Sequence, residues 1–248
     1  MTDTIQDECG ATVASGNRGN KESVAGPMLA AAAIFIFLQP VMQVVGVFLL
    51  LIFTFGQLGA EAALTIALVG ADIGILVLIH KNLHSAKAPS LTQIGWRRPV
   101  NGWPENLLLI TAILAISLVF EYYYVEFIGE ELQQGIVSIF HELAADNQLI
   151  ILPLFVVTVT LGAPLVEELV FRGYLQGALV NYLPPAFGLL LASVIFAAVH
   201  MDIEAFPVLL VSGLGLGYLF HRSKSVFPPM ILHFLGNGLA TVAILGGF

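Results

Sequence analysis

Between residues 28 and 247 the chain alternates long apolar stretches with short polar breaks. The stretches run roughly over 28–55, 62–80, 105–128, 150–180, 185–201, 205–221 and 226–247. A helix needs about 20 apolar residues to cross a hydrocarbon core, and these seven reach or approach that length. Backbone groups cannot stay unpaired in lipid, so such stretches predict helices rather than strands. Pro40 falls inside the first stretch, while Pro184-Pro185 and Pro228-Pro229 mark the starts of later ones. The pattern predicts an all-α membrane protein, a polytopic bundle of about seven transmembrane helices. An eighth span would have to come from splitting the first stretch or from residues 129–149, which are too polar. Residues 1–27, rich in Gly, Ser, Asn and Thr, predict a disordered tail, and residues 28–248 a single transmembrane helical domain without internal repeats.

Composition supports this pattern. The chain is 58% hydrophobic and 10% charged, against about 25% charged in soluble domains. The basic residues then set the sidedness. With the N-terminus in the cytoplasm and seven alternating helices, all nine basic residues fall on or towards one side: Arg18, Lys21, Lys81, Lys87, Arg97, Arg98, Arg172, Arg222 and Lys224. The acidic segment with Glu121, Glu126, Glu130, Glu131, Glu142 and Asp146, together with Asp202 and Glu204, falls on the other. The expected location is an integral, multi-pass position in the plasma membrane. Net charge −8 sits in tails and loops, and no basic run or aromatic-interleaved patch points to nucleic acid. Cys9 is the sole cysteine, so neither an intrachain disulfide nor a cysteine zinc site can form. The first 27 residues do not resemble a signal peptide, and no C-terminal CaaX sequence is present.

Three polar clusters interrupt the apolar core: Glu167-Glu168-x-x-x-Arg172, Phe196-x-x-x-His200 and His233-x-x-x-Asn237. An ionisable group in a membrane helix costs about 2.5–3.5 kcal/mol on insertion scales, so such groups tend to be paired and functional. Successive helical residues are about 100° apart, which puts Glu168 and Arg172 on one face as an i,i+4 pair. Glu167 points elsewhere and lacks a local cation, which suits a general base in a low-dielectric site. The bland alternative is a structural ion pair beside a loop-facing carboxylate. Taken alone, His200 reads as an interfacial histidine, and His233 with Asn237 as interhelical hydrogen bonding. Together on separate helices, two imidazoles and a carboxylate could hold a divalent metal or position a water without one. Asn237 and a histidine could equally donate to an oxyanion.

The remaining polar positions carry less. Asp72, in mid-span, either lines the cavity or pairs with a buried polar group. His80, His84, His141 and His221 read as solvated, and Tyr122-Tyr123-Tyr124 as an interfacial aromatic belt. Gly213, Gly215 and Gly217 follow no strand and predict close helix packing rather than nucleotide binding.

Glu-Glu-x3-Arg, Phe-x3-His and His-x3-Asn in this order resemble the CPBP family of intramembrane proteases, which includes CAAX prenyl proteases and bacteriocin-processing proteins. The resemblance covers roughly residues 150–240, the expected catalytic core. It implies an intramembrane endopeptidase with an all-helical core. Members similar to the CAAX enzymes remove a C-terminal tripeptide from prenylated proteins. By position, the resemblance assigns Glu167 and His200 to water activation. His233 and Asn237 would stabilise the oxyanion or help bind a metal, while Glu168 and Arg172 organise the site. If a divalent metal such as zinc is bound, Glu167, His200 and His233 would hold it, and both glutamate- and metal-dependent chemistry stay open. The implied partners are a hydrophobic or lipidated peptide substrate and the bilayer. Other readings are a non-catalytic scaffold or bacteriocin-immunity protein that retains the fold, and a transporter using the same charges as a relay. The depths of His200, Glu167 and His233 along their helices further predict a long, tilted fourth helix and a water-filled chamber open to the cytoplasm.

Overall fold

The chain contains one helix with a segment buried on every side, and other helices pack about it. The computed structural model describes the backbone of residues 4–128, 134–145 and 150–246, and the side chains of 24–128, 137–145 and 150–246. The helices are α1 (Thr4–Phe53), α2 (Ala60–Leu83), α3 (Trp103–Ile128), α4 (Gln134–Ala145), α5 (Ile151–Leu179), α6 (Pro185–Ala198), α7 (Phe206–Ser223) and α8 (Phe227–Gly246). No strand occurs among the described residues.

The all-α polytopic architecture is the one expected. Among the described residues five helices are long and apolar enough to cross a membrane: α1 from Val24 onward, α2, α3, α5 and α8. The stretch 185–201 yields only the 14 residues of α6, about 21 Å at 1.5 Å per residue. It stops short because His200 and Met201 form a turn, with Met201 left-handed at φ 53°. α7 has 18 residues but ends in His221-Arg222-Ser223, which lowers its apolar character. The helical backbone of α1 begins at Thr4. The short α4, at 12 residues, cannot span.

The central rod is α5. Its residues 168–176 are all buried, and they pack against Met28, Ala32 and Phe35 of α1, Ile75 and Ile79 of α2, Phe196 of α6 and Met230 of α8. A second apolar cluster joins α3, α7 and α8 through Ile110, Leu216, Leu219 and Leu232. By contrast α1 and α3 lie at the periphery and turn Phe37, Val44, Phe48, Leu108, Ile116 and Phe127 outward. The two ends of α3 make different contacts. Arg222 pairs with Glu105 at 2.6 Å at one end of α3, while at the other end the Tyr124 hydroxyl donates to the Glu204 carbonyl. Gly213 allows a close approach of α7 to α6, since a Cβ there would sit 3.2 Å from both Phe196 and Ser193.

Candidate active site

The helix that carries Glu167 and Glu168 is not uniformly α. Turns of π geometry occupy Thr158–Gly162 and Glu168–Gln176, a local widening that is frequent at functional sites. Glu167 is the last α-helical residue before the second of these.

Glu168 is fully buried and bridges two partners. Arg172 Nε lies 3.2 Å from its Oε2, and the side chains are 2% and 0% exposed. His233 Nδ1 lies 2.9 Å from its Oε1. The predicted i,i+4 pair is therefore present, and it extends to α8. Arg172 also donates from Nη2 to the Gly213 carbonyl at 3.3 Å, and its guanidinium stands 4.4 Å over the Phe196 ring. Nη1 of Arg172 has no hydrogen-bond partner. Such a buried pair is held by geometry and extra hydrogen bonds rather than by Coulomb attraction alone.

His233 stands between the two glutamates. With Nδ1–H donated to Glu168, Nε2 faces Glu167 Oε2 at 3.9 Å. That separation is too long for a hydrogen bond and short enough for one water to contact both atoms. The side chains of Glu167 and His233 are 17% and 11% exposed, so the pair is shielded but not sealed.

His200 occupies the turn that ends α6. Its Nδ1–H donates to the Phe196 carbonyl at 2.7 Å, which leaves Nε2 as the free ring nitrogen in the neutral form. Asp202 accepts the Ala205 N–H at 2.8 Å and fixes the other side of the turn. Phe196 links the two histidines: its ring is edge-on to His200 at 5.0 Å and to His233 at 6.0 Å. The first residue of the Phe-x3-His pair thus acts as a common wall for both imidazoles and for Arg172.

Asn237 donates from Nδ2 to the Val159 carbonyl at 2.8 Å, and the local sequence explains why that carbonyl is available. The Ala163 N–H goes to the Thr158 carbonyl across the π turn. The next residue, Pro164, has no N–H to offer. Asn237 supplies the missing donor and keeps a second N–H for another acceptor.

Asp72 proves to be buried and paired. It accepts from Gln39 Nε2 at 3.1 Å, is 4% exposed and leaves Oδ2 without a partner. Oδ2 lies against Gly162, where a Cβ would come within 3.3 Å. The charges of Asp72 and Glu167 are near enough to interact. Two amides escaped sequence reasoning: Gln39, and Gln176, which donates to the Gly217 carbonyl at 2.8 Å. Their signal is an amide in the middle of an apolar helix, which seeks a partner on a neighbouring one.

A divalent metal of the zinc type needs three protein donors about one point. Among the described residues no three His, Cys, Asp or Glu side chains form such a group. Glu167, His200 and His233 as placed do not fit one, and no step below runs through a metal. Cavities of about 330–440 Å³ are lined by residues other than Glu167 and His233, so the expected chamber is not among them. One of about 440 Å³ is an apolar groove between α1 and α6. It is lined by Ala33, Ile36, Phe37, Pro40, Ile195, Val199 and Met201, the last two close to His200 in sequence.

Comparisons with known proteins match part of the chain. A segment of 90 residues is 29% identical to YdiL of Bacillus subtilis (strain 168), named for a membrane peptidase, and covers 36% of this chain and 37% of that one. Over 97 residues the chain is 32% identical to the membrane-embedded CAAX protease MroQ of Staphylococcus aureus (strain USA300), covering 37% and 39%. The matched segment thus spans under two fifths of either relative. No solved structure matches. Residues 149–239, which contain Glu167, Glu168, Arg172, His200, His233 and Asn237, are similar to the family model described as type II CAAX prenyl endopeptidase Rce1-like.

Proposed function

We propose that the protein is an intramembrane endopeptidase in which Glu167 and His200 activate a water. The observation that carries this reading is the placement of His233, held through Nδ1 by the buried Glu168–Arg172 pair and facing Glu167 through Nε2. A water about 2.8 Å from both Glu167 Oε2 and His233 Nε2 would span their separation. Glu167, with the free Nε2 of His200 as second acceptor, takes a proton from that water, and the hydroxide adds to the scissile carbonyl. The oxyanion receives a hydrogen bond from the second Asn237 N–H, while Nε2 of His233, unprotonated when Nδ1–H is donated to Glu168, accepts the remaining hydrogen of the water. Collapse breaks the C–N bond, and the proton held on Glu167 passes to the leaving amine. Glu168 and Arg172 orient His233 without touching the substrate.

The groove between α1 and α6 gives an apolar chain a lateral path from the bilayer towards His200. A hydrophobic or lipidated peptide is the substrate class that fits, and removal of a C-terminal tripeptide from a prenylated CaaX protein is the specific reaction put forward. A second reading, a non-catalytic membrane scaffold or immunity protein, draws on the structural bonds that already occupy Glu168, Arg172 and Asn237.

Cleavage of a fluorogenic prenylated CaaX peptide by purified protein tests the proposal. The peptidase reading expects activity in wild type and none above background in Glu167→Gln or His233→Ala. Full activity in both variants would overturn it, and a well-folded wild type inactive on hydrophobic peptides would favour the scaffold. A chelator arm reports on metal: activity that survives chelation leaves the work to the glutamate.

A further inference from the structure

Residues 84–102 join α2 to α3 without a helix or strand of their own, and ordered connections of that length are usually functional. This one is fixed along its course. Ile94 is 1% exposed. The Val226 N–H donates to the Gly95 carbonyl at 2.9 Å, and the Val100 N–H to the Ser223 carbonyl at 2.9 Å. Ser225 Oγ donates to the Arg97 carbonyl at 2.5 Å. Gly95 adopts φ +78°, and a Cβ there would meet Phe220 at 2.6 Å, so the close approach requires glycine.

Ordering this loop closes a cavity of about 330 Å³ against the ends of α5 and α7 and the start of the apolar part of α1. Among the described residues Arg97, His221 and Lys224 line it, and no Asp or Glu does. The Lys224 ammonium stands 3.4 Å from another base, His221 Nδ1. Gln176 also lines the cavity. It is 1% exposed, its Nε2 is bonded to the Gly217 carbonyl, and its Oε1 has no partner. Val24, Met28, Val180 and Phe220 form an apolar wall on the same cavity. Basic residues at a helix C-terminus complement its dipole, which accounts for Arg222 and Lys224. It does not account for Arg97, which a separate loop brings to the same cavity.

We propose that this cavity binds the phosphate of an anionic lipid headgroup. Arg97 offers a fork and Lys224 a point charge to the phosphate oxygens. A soluble anion would use the charges but not the apolar wall. A lipid uses both, as in other basic pockets between membrane helices. The site is separate from Glu167, so it stands or falls independently of the peptidase reading.

Binding to purified full-length protein in a zwitterionic detergent tests this, with three probes titrated in turn: short-chain phosphatidylglycerol, short-chain phosphatidylcholine and inorganic phosphate. Phosphatidylglycerol is expected to bind saturably and at least about tenfold more tightly than phosphatidylcholine. The Arg97→Gln/Lys224→Gln double variant is expected to lose about tenfold or more of that affinity. Arg98→Gln, outside the cavity, is the control and keeps wild-type affinity. Both replaced side chains are exposed, so an unchanged melting temperature will confirm that the double variant is folded. Inorganic phosphate that binds as tightly as phosphatidylglycerol and is lost in the double variant would reassign the cavity to a free anion and overturn the lipid proposal. Equal phosphatidylglycerol affinity in wild type and double variant would overturn the site altogether.

Discussion

Helices α3 and α5 are nearly the same object by hydropathy and nearly opposite ones by environment. Their most apolar stretches are alike in composition, yet 6% of that of α3 is buried against 44% of that of α5. Either could cross a bilayer. What separates them is the presence of Glu167, Glu168 and Arg172 on α5, groups that lipid tails cannot satisfy and that only other helices can. α3 keeps its charges at the ends and presents Leu108, Ile116 and Phe127 outward. A hydropathy profile thus finds the spans but does not rank them, whereas a charge in mid-span identifies the helix the others must surround.

The contrast can be broken most sharply at Glu167. Glu167→Gln is expected to lower peptidase turnover by about 10²–10⁴ while leaving the melting temperature unchanged, as read by the CaaX-peptide assay and a thermal melt. A parallel fall in melting temperature would move Glu167 from chemistry to structure. Next in size is Arg172→Ala, which strands the buried Glu168 carboxylate and is expected to destabilise by about 3–5 kcal/mol. Chemical denaturation in detergent would measure it. Asn237→Ala leaves the Val159 carbonyl unpaired, with an expected loss of about 1–2 kcal/mol by the same method. It should also slow turnover by more than that instability explains. Smallest is Leu108→Ala on α3, expected within about 0.5 kcal/mol of wild type because the side chain is 71% exposed. A large loss there would mean that α3 packs against something other than lipid.

Much of the site was legible because it follows helical periodicity. Glu168 and Arg172 are four residues apart on one helix, and their pairing follows from the 3.6-residue repeat. The separation of Glu167 from that pair follows likewise. The convergence of His233 on both glutamates did not, since it depends on how α8 crosses α5. Asn237 was read as a donor, but its partner was hidden: the Val159 carbonyl is free only because a π turn and Pro164 remove its helical donors. Asp72 was recognised as unusual, whereas Gln39, its partner on α1, was not, because a lone amide lacks the penalty that makes a charge conspicuous. The length of α6 was overestimated for a related reason. Hydropathy continues through Val199, but the backbone turns at His200 and Met201.

The sequence by itself determined that this is an all-helical membrane protein, where most of its helices lie, which ends share a side, and which helices carry charges needing partners. These properties follow from local length, periodicity and the price of burying polar groups in lipid. The tertiary structure alone decided how His233 came to stand between Glu167 and Glu168, and that the 84–102 loop lines a basic cavity. Those outcomes depend on helix crossings, and a crossing is fixed by close contacts between residues far apart in the chain, such as Gly213 against Ser193 and Phe196.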